Sequence, residues 1–395
     1  MIKKIKSKRI QSIDVLRGLV MVIMALDHVR DYFHLDAIVS DPLDLETTTP
    51  ILFMTRFVTH FCAPVFIFLT GTSASLYGQN RTKKELSKFL FTRGLWLIFV
   101  EIVIMNFLWW FNPYYEFINL QVIWAIGLCM IILAGLIHLP FKIIISLSLI
   151  IVFGHNMLDP ITFEGNSFGS ILWYIFHQAK DLSLANGRML SFYYPILPWI
   201  AVMALGYCFG FLYHKNYDAN KRKKTLLILG FSTISLFLVI RLINTYGDMV
   251  PWSRQKDLVF TILSFLKVSK YPPSLLYILI TIGPTFLVLY FLEGIQSKVT
   301  DFLLVFGRVP FFYYVLHIFF IHSAALLTLF VLGKDWRLMI FDSTSFTTNK
   351  LADYGYSLGV VYLVWILIVV ILYPFCKKYM LFKLNNPQKW WLSYL

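Results

Sequence analysis

The residues best suited to chemistry stand close together in two apolar stretches near the start of the chain. In the first, Ser12 to His34, the residues Asp27, Arg30, Asp31 and His34 fall at offsets of three, four and seven and share one helix face, with His28 beside the stripe. Arg17 precedes Asp27 by roughly 15 Å along a helix axis at about 1.5 Å per residue. Arg56 and His60, one turn apart, open the second stretch at the level of Asp27 to His34. A histidine beside a carboxylate is the usual general base, and the same pair can make imidazole a nucleophile for an acyl group. A proton relay would use the same groups, so these residues leave acyl transfer and transport both open. Taken singly, each has a plain structural reading: Arg56 with Asp27 or Asp31 is a buried ion pair fixing helix register, and His60 is a satisfied core histidine. Two histidines, two carboxylates and two arginines together at membrane depth argue for function.

Later stretches add further candidates. In FGRVPFFYYVLHIFFIHSAALL, Arg308 stands at the cytoplasmic mouth, His317 near mid-membrane and His322 further out. Five residues place the two histidines about 140° apart on a helix, so they do not ligate one metal from one face. His317, in an aromatic run, suits a hydrogen-bonded core residue as well as a catalytic one. Arg17, Arg93 and Arg308 recur at cytoplasmic ends, where phosphate binding and topology-setting snorkelling are evenly balanced readings. In SKYPPSLLYILITIGP the paired prolines suit a helix start, leaving Lys270 and Tyr271 at the outer rim as interface anchors or contacts to a polar substrate. Pro64 permits a bend in the second stretch, and the small run Thr70 to Ser73 permits close helix approach.

These residues need elements to hold them, and composition says which. Of the 395 residues, 58% are hydrophobic, and apolar stretches of spanning length recur along nearly the whole chain. The expected fold is all-α, a polytopic helix bundle forming one membrane unit over residues 1–395. Ten spans are expected, near 13–34, 51–78, 89–110, 120–138, 141–155, 195–214, 225–243, 273–293, 303–331 and 355–375. With the N-terminus cytoplasmic, the runs KKIKSKR, NRTKKELSK and HKNYDANKRKK and the C-terminal lysines fall on the cytoplasmic side, and both termini lie there. The stretches 156–194 and 244–271 hold apolar runs at 171–176 and 258–266 that suit interfacial or re-entrant helices; an eleventh span hidden there is the alternative. The net charge of +14 sits in short runs between apolar segments, which sets nucleic acid aside. The four cysteines lack metal-ligand or redox spacing and read as small core residues. No metal site is expected, and the first stretch, long and carrying Arg17, reads as a retained helix.

SIDVLRGLVMVIMALDH, THFCAPVFIFLTG, SKYPPSLLY and FGRVPFFYYVLHIFFIH, in this order, resemble the bacterial members of the heparan-α-glucosaminide N-acetyltransferase-like family, within the wider transmembrane acyltransferase superfamily. The resemblance implies transfer of acetyl from cytoplasmic acetyl-CoA, as co-substrate, to the amine of a terminal glucosamine across the membrane, as in heparan sulfate processing. Its (S/D)xDxxRG stretch matches Ser12, Asp14, Arg17 and Gly18, and the polar residue ending the first-span motif falls at Asp27. The family archetype's essential histidine falls at Ile38 here, so the candidates become His60, first, and His28, with His34 behind them.

The resemblance therefore implies a bacterial inner-membrane acetyltransferase acting on an amino sugar or other glycan at the outer side, and a homodimer. On this reading Asp27 orients His60 or His28, Arg17, Arg93 and Arg308 meet the CoA phosphates, and Arg56, Asp31, His317, Lys270 and Tyr271 line the acceptor's path. The rival from another class is a proton-coupled transporter or exporter in which Asp27, His28 and His60 form the relay. A membrane scaffold would leave the buried charges without a purpose.

Overall fold

The computed structural model describes residues 10–35, 40–345, 351 and 354–393, so that Ile38 and the basic run at 3–9 lie outside the described residues. α1 (Gln11–Phe33) is followed by α2 (Pro50–Thr59), α3 (Cys62–Gly78) and α4 (Lys83–Phe99), which passes through a π-helical turn into α5 (Asn106–Trp110). Strand β1 (Phe117–Leu120), α6 (Val122–Leu136), α7 (Phe141–Gly154) and α8 (Phe168–Phe176) come next. Strands β2 (Lys180–Ser183) and β3 (Met189–Phe192) lead to α9 (Leu197–Phe209) and α10 (Ala219–Ile243). α11 (Leu258–Leu266), α12 (Leu275–Leu292), α13 (Lys298–Arg308), α14 (Pro310–Val331) and α15 (Leu358–Asn385) follow.

The protein is mostly helical, as a chain of apolar segments must be when water is not available to satisfy its backbone. Seven stretches among the described residues are long and apolar enough to cross a membrane: Pro50–Gly78, Lys83–Trp110, Phe141–Leu158, Ala219–Ile243, Leu275–Leu292, Pro310–Val331 and Leu358–Asn385. Val122–Leu136 and Leu197–Tyr213 are apolar but shorter. α1 has 23 residues, but it carries the charged cluster. α8 and α11, nine residues each, sit where interfacial helices were expected and are too short to cross. The all-α expectation needs one amendment: β1, β3 and β2 form a three-stranded sheet, in that order, with β1 parallel to β3 and β2 antiparallel to it. Four-residue strands between long apolar helices leave little periodicity to read.

Two of the expected continuous spans are broken. α2 ends at Thr59 and α3 begins at Cys62. Pro64 has no N–H to give to the His60 carbonyl four residues earlier, and that carbonyl instead accepts the Tyr277 hydroxyl of α12 at 2.8 Å. The break is thus stabilised from a neighbouring helix. Likewise α13 stops at Arg308 and Pro310 starts α14, with Val309 in a non-helical conformation between them.

α1 packs on α3, α13, α14 and α15, and its closest approach is to α13. A Cβ on Gly18 would lie 1.9 Å from the Leu303 carbonyl oxygen, and one on Gly307 would lie 1.7 Å from that of Asp14. These glycines belong to the RG and FGR motifs, so the two motifs are each other's packing surface. α3 and α9 approach in the same way: a Cβ on Gly71 would lie 1.9 Å from the Met203 oxygen, and the Thr72 hydroxyl donates to the Gly206 carbonyl at 3.0 Å. Because backbone stands opposite, nothing flexible can give way. Gly307→Val is therefore predicted to cost upward of about 3 kcal/mol by overpacking, read as a lower unfolding midpoint in detergent, whereas Gly135→Ala, with open space at its Cβ, should leave it unchanged.

Candidate active site

The site begins with Asp27, buried on α1. Its Oδ2 accepts from Arg56 Nη1 of α2 at 2.5 Å, and its Oδ1 is 2.9 Å from both Arg30 Nη2 and the Thr59 hydroxyl. Arg30 Nη2 also reaches Asp31 at 2.6 Å. The register-fixing ion pair between Arg56 and Asp27 is present, extended by Arg30 and Asp31 into a network. No hydrogen bond joins Asp27 to a histidine among the described residues; its oxygens meet Arg56, Arg30 and Thr59 instead. A carboxylate held by two guanidiniums and a hydroxyl is a rigid anchor between α1 and α2 rather than a proton acceptor. Arg30 Nε and Nη1, in contrast, are buried and have no partner among the described residues.

The two candidate histidines differ in what holds them. His60 sits at the end of α2, 1% exposed, with neither ring nitrogen partnered among the described residues and its ring edge-on to Tyr277. His28 is half-buried, and its Nδ1 is 2.7 Å from Nε2 of His317, on α14. The two rings lie within 19° of one plane, so the bond is in line with the ring lone pairs, and Trp109 abuts His28 edge-on. His317 Nδ1 in turn faces the Tyr313 carbonyl at 3.0 Å. His322 is a core residue, its ring nitrogens 2.8 Å and 2.7 Å from the carbonyls of Leu108 and Met339.

These groups face a cavity of about 620 Å³ at the His34 end of α1, whose wall includes Asp27, His28, Arg30, Asp31, Arg56 and His60. Lys270 and Tyr271 stand at its rim, with Lys270 Nζ 4.9 Å from the Tyr271 ring centroid. Burial alone would raise the Tyr271 hydroxyl, but Lys270 and Arg56 outweigh it and hold that phenol below the usual tyrosine range, a stronger hydrogen-bond donor than an ordinary one. Tyr193 beside it is pushed the other way, to about 12, by burial and then by Tyr271. Asp248 fixes this rim by accepting from the Ser269 and Ser274 hydroxyls at 2.7 Å and 2.6 Å. His317 reaches the cavity through His28, and His34 does not line it.

The other three arginines lie elsewhere. Arg17 donates to Asp14 at 2.9 Å, to Ser73 at 2.8 Å and to the Gly307 carbonyl at 3.3 Å, and Arg308 approaches Asp14 at 4.0 Å. The Arg17 and Arg308 motifs therefore meet at the end of α1 opposite the cavity. Arg93 is on α4, its guanidinium 5.9 Å from the Phe89 ring centroid.

Much of the cavity's ionisable wall was legible in the sequence, but not all of it. Arg30 was visible at three residues from Asp27 and was not singled out from the stripe. Asp248 carried no local signal, since a loop aspartate 21 residues before its serine partner has no periodicity to betray it. The His28–His317 bond joins residues 289 apart and follows only from the packing of α14 on α1.

Seven span-length apolar helices among the described residues, around a partly open cavity lined by histidines and charged side chains, define a multi-pass membrane protein. The family described as heparan-alpha-glucosaminide N-acetyltransferase, catalytic, matches residues 9–242, more than half of the chain, and the chain belongs to that family of acetyltransferases. No curated protein matches it. The matched region contains α1 to α3, and so Asp27, His28, Arg56 and His60, while His317 and Lys270 lie beyond it. For the network itself, Arg56→Leu is predicted to destabilise by about 2–5 kcal/mol, because Asp27 keeps its burial and loses its closest cation. The double variant Asp27→Leu with Arg56→Leu should recover much of that loss in the same denaturation measurement.

Proposed function

We propose that this protein is an integral membrane acetyltransferase, one unit over residues 1–395, that takes the acetyl group of cytoplasmic acetyl-CoA and places it on the amine or hydroxyl of an amino sugar at the outer side of a bacterial inner membrane. The observation that carries this reading is the cavity whose wall holds His28, His60 and Arg30, two of whose guanidinium nitrogens have no partner among the described residues, at the opposite end of α1 from the Arg17–Asp14–Arg308 cluster. α1, the helix at 122–136 and that at 197–213 join the seven longer helices as crossings, which makes ten and returns both termini to the cytoplasm. The Arg17 end is then the donor side, and the cavity is the acceptor side.

In this arrangement Arg17 and Arg308, with Arg93, receive the CoA phosphates, Asp14 keeping Arg17 extended toward them. The acyl arm runs along α1, over roughly 16 Å between Arg17 and His28 at about 1.5 Å per residue. In the cavity, Lys270 and Tyr271 supply donors to sugar oxygens. A cavity histidine takes the acceptor's proton as its nitrogen or oxygen attacks the thioester carbonyl. Exclusion of water by the bundle favours transfer to the sugar over hydrolysis.

The test uses purified protein in vesicles, labelled acetyl-CoA at one face and glucosamine-terminated acceptors at the other. Label is expected on the acceptor. No transfer to any amino sugar, together with proton-dependent flux of an unmodified solute, would support a transporter instead. Within the same assay, Arg17→Ala or Arg308→Ala is predicted to raise the KM for acetyl-CoA about 10- to 100-fold, the worth of one charge-assisted contact, with kcat changed much less.

A further inference from the structure

Building on the acyltransferase reading above, we propose that His28 is the general base of the site and that His317 is the residue that positions it, Nε2 of His28 being the atom that takes the proton. The inference follows from where the hydrogens must lie. His317 is fully buried, and its Nδ1 is 3.0 Å from the Tyr313 carbonyl oxygen, an atom that can only accept. Nδ1 of His317 therefore carries the hydrogen. In neutral imidazole the other nitrogen is then a bare lone pair, so His317 Nε2 accepts and His28 Nδ1 donates across their 2.7 Å contact. The reverse order would set a lone pair of His317 against the carbonyl oxygen. With Nδ1 of His28 committed as a donor, its Nε2 is left as a lone pair, and among the described residues that nitrogen has no hydrogen-bond partner.

This is the relation a carboxylate usually has to a catalytic histidine, supplied here by a second imidazole: the partner fixes tautomer and ring orientation. Two further contacts hold the arrangement. The Tyr313 ring stacks on His317 with centroids 5.1 Å apart and planes within 4°, and Trp109 abuts His28 edge-on at 4.9 Å. His28 is the half-buried member and forms part of the cavity wall, whereas His317 lies behind it. His60 has no such orienting group among the described residues, and Asp27 is occupied by Arg56, Arg30 and Thr59. His60 thus keeps both ring nitrogens buried, and His28 is the one prepared to accept a proton.

The step balances within the pair and its substrates. The acceptor's nitrogen or oxygen lone pair forms a bond to the thioester carbonyl carbon, and the acceptor's proton passes to His28 Nε2. The carbon–sulfur bond then breaks, the electron pair leaves on sulfur, and the thiolate takes the proton from His28 Nε2. His28 returns to its neutral form with Nδ1 still donating to His317.

Diethyl pyrocarbonate, which acylates unprotonated imidazole nitrogen, gives a readout that does not depend on turnover. Applied to the full protein in vesicles at neutral pH, with peptide mass spectrometry, it should modify His28 at least about tenfold faster than His60 or His317. In acyl transfer from labelled acetyl-CoA, His28→Asn should lose about 10²- to 10⁴-fold in kcat, while His60→Asn keeps at least about a tenth. His317→Leu should lower kcat with KM nearly unchanged. His317→Gln, whose amide oxygen can accept the same bond, should restore a large part of it. Loss of activity in His60→Asn with retention in His28→Asn, or His317→Gln no better than His317→Leu, would overturn the assignment, as would slow modification of His28. Selective modification of His28 in a protein that transfers no acyl group would uphold an accessible, unprotonated nitrogen on His28 while sinking the acyltransferase reading.

Discussion

The structure depends on how one buried carboxylate is held. Asp27 lies buried on α1, where a bare charge costs several kcal/mol, and it is stable there because Arg56, Arg30 and Thr59 bond its two oxygens. This network ties α1 to α2 beside the break between α2 and α3. The break exists because Pro64 cannot bond His60, and the freed carbonyl of His60 is held in turn by Tyr277. Three helices therefore meet around the cavity for reasons set by individual side chains, and the cavity is the space their polar groups leave between them.

The opposite end of α1 is organised by contact of backbone with backbone. Gly18 and Gly307 allow α1 and α13 to touch, which brings Arg17 and Arg308 to either side of Asp14. The Arg17 end is set by steric fit and the His28 end by charge pairing, with a continuous helix between them. On the proposed function, a rigid α1 keeps donor and acceptor ends at a fixed separation, which suits a reaction in which the transferred group must arrive at one atom.

Much of this was legible in the sequence, and the part that was not has physical reasons. The Asp27, Arg30, Asp31 stripe and the Arg56–His60 pair are local periodicities, and local spacing predicts a shared face. The ion pair between Arg56 and Asp27 was foreseeable because a membrane-embedded charge needs a counter-charge. Pro64 announced its bend, but a second break at Val309 was missed, since Pro310 also suits a helix start. The sheet of β1, β3 and β2 was invisible because its strands are short and pair across distant parts of the chain. The partner of His28 was hidden for the same reason: no spacing rule links residues on α1 and α14. Asp27 was expected to orient a histidine by analogy with soluble active sites, whereas inside the bundle the arginines claim it first.

On the proposed function, acyl chemistry occurs in the cavity at the His34 end of α1 while the nucleotide part of the donor stays at the Arg17 end. An experimental structure of the protein in lipid with a non-hydrolysable thioether analogue of acetyl-CoA tests it directly. The diphosphate is expected against Arg17 and Arg308, with the acetyl group in the cavity beside His28 and its carbonyl carbon about 3–3.5 Å from the attacking atom of a bound acceptor. Placement of the whole analogue on the cavity side with no contact to Arg17 or Arg308, or with its acyl end away from His28, would contradict it.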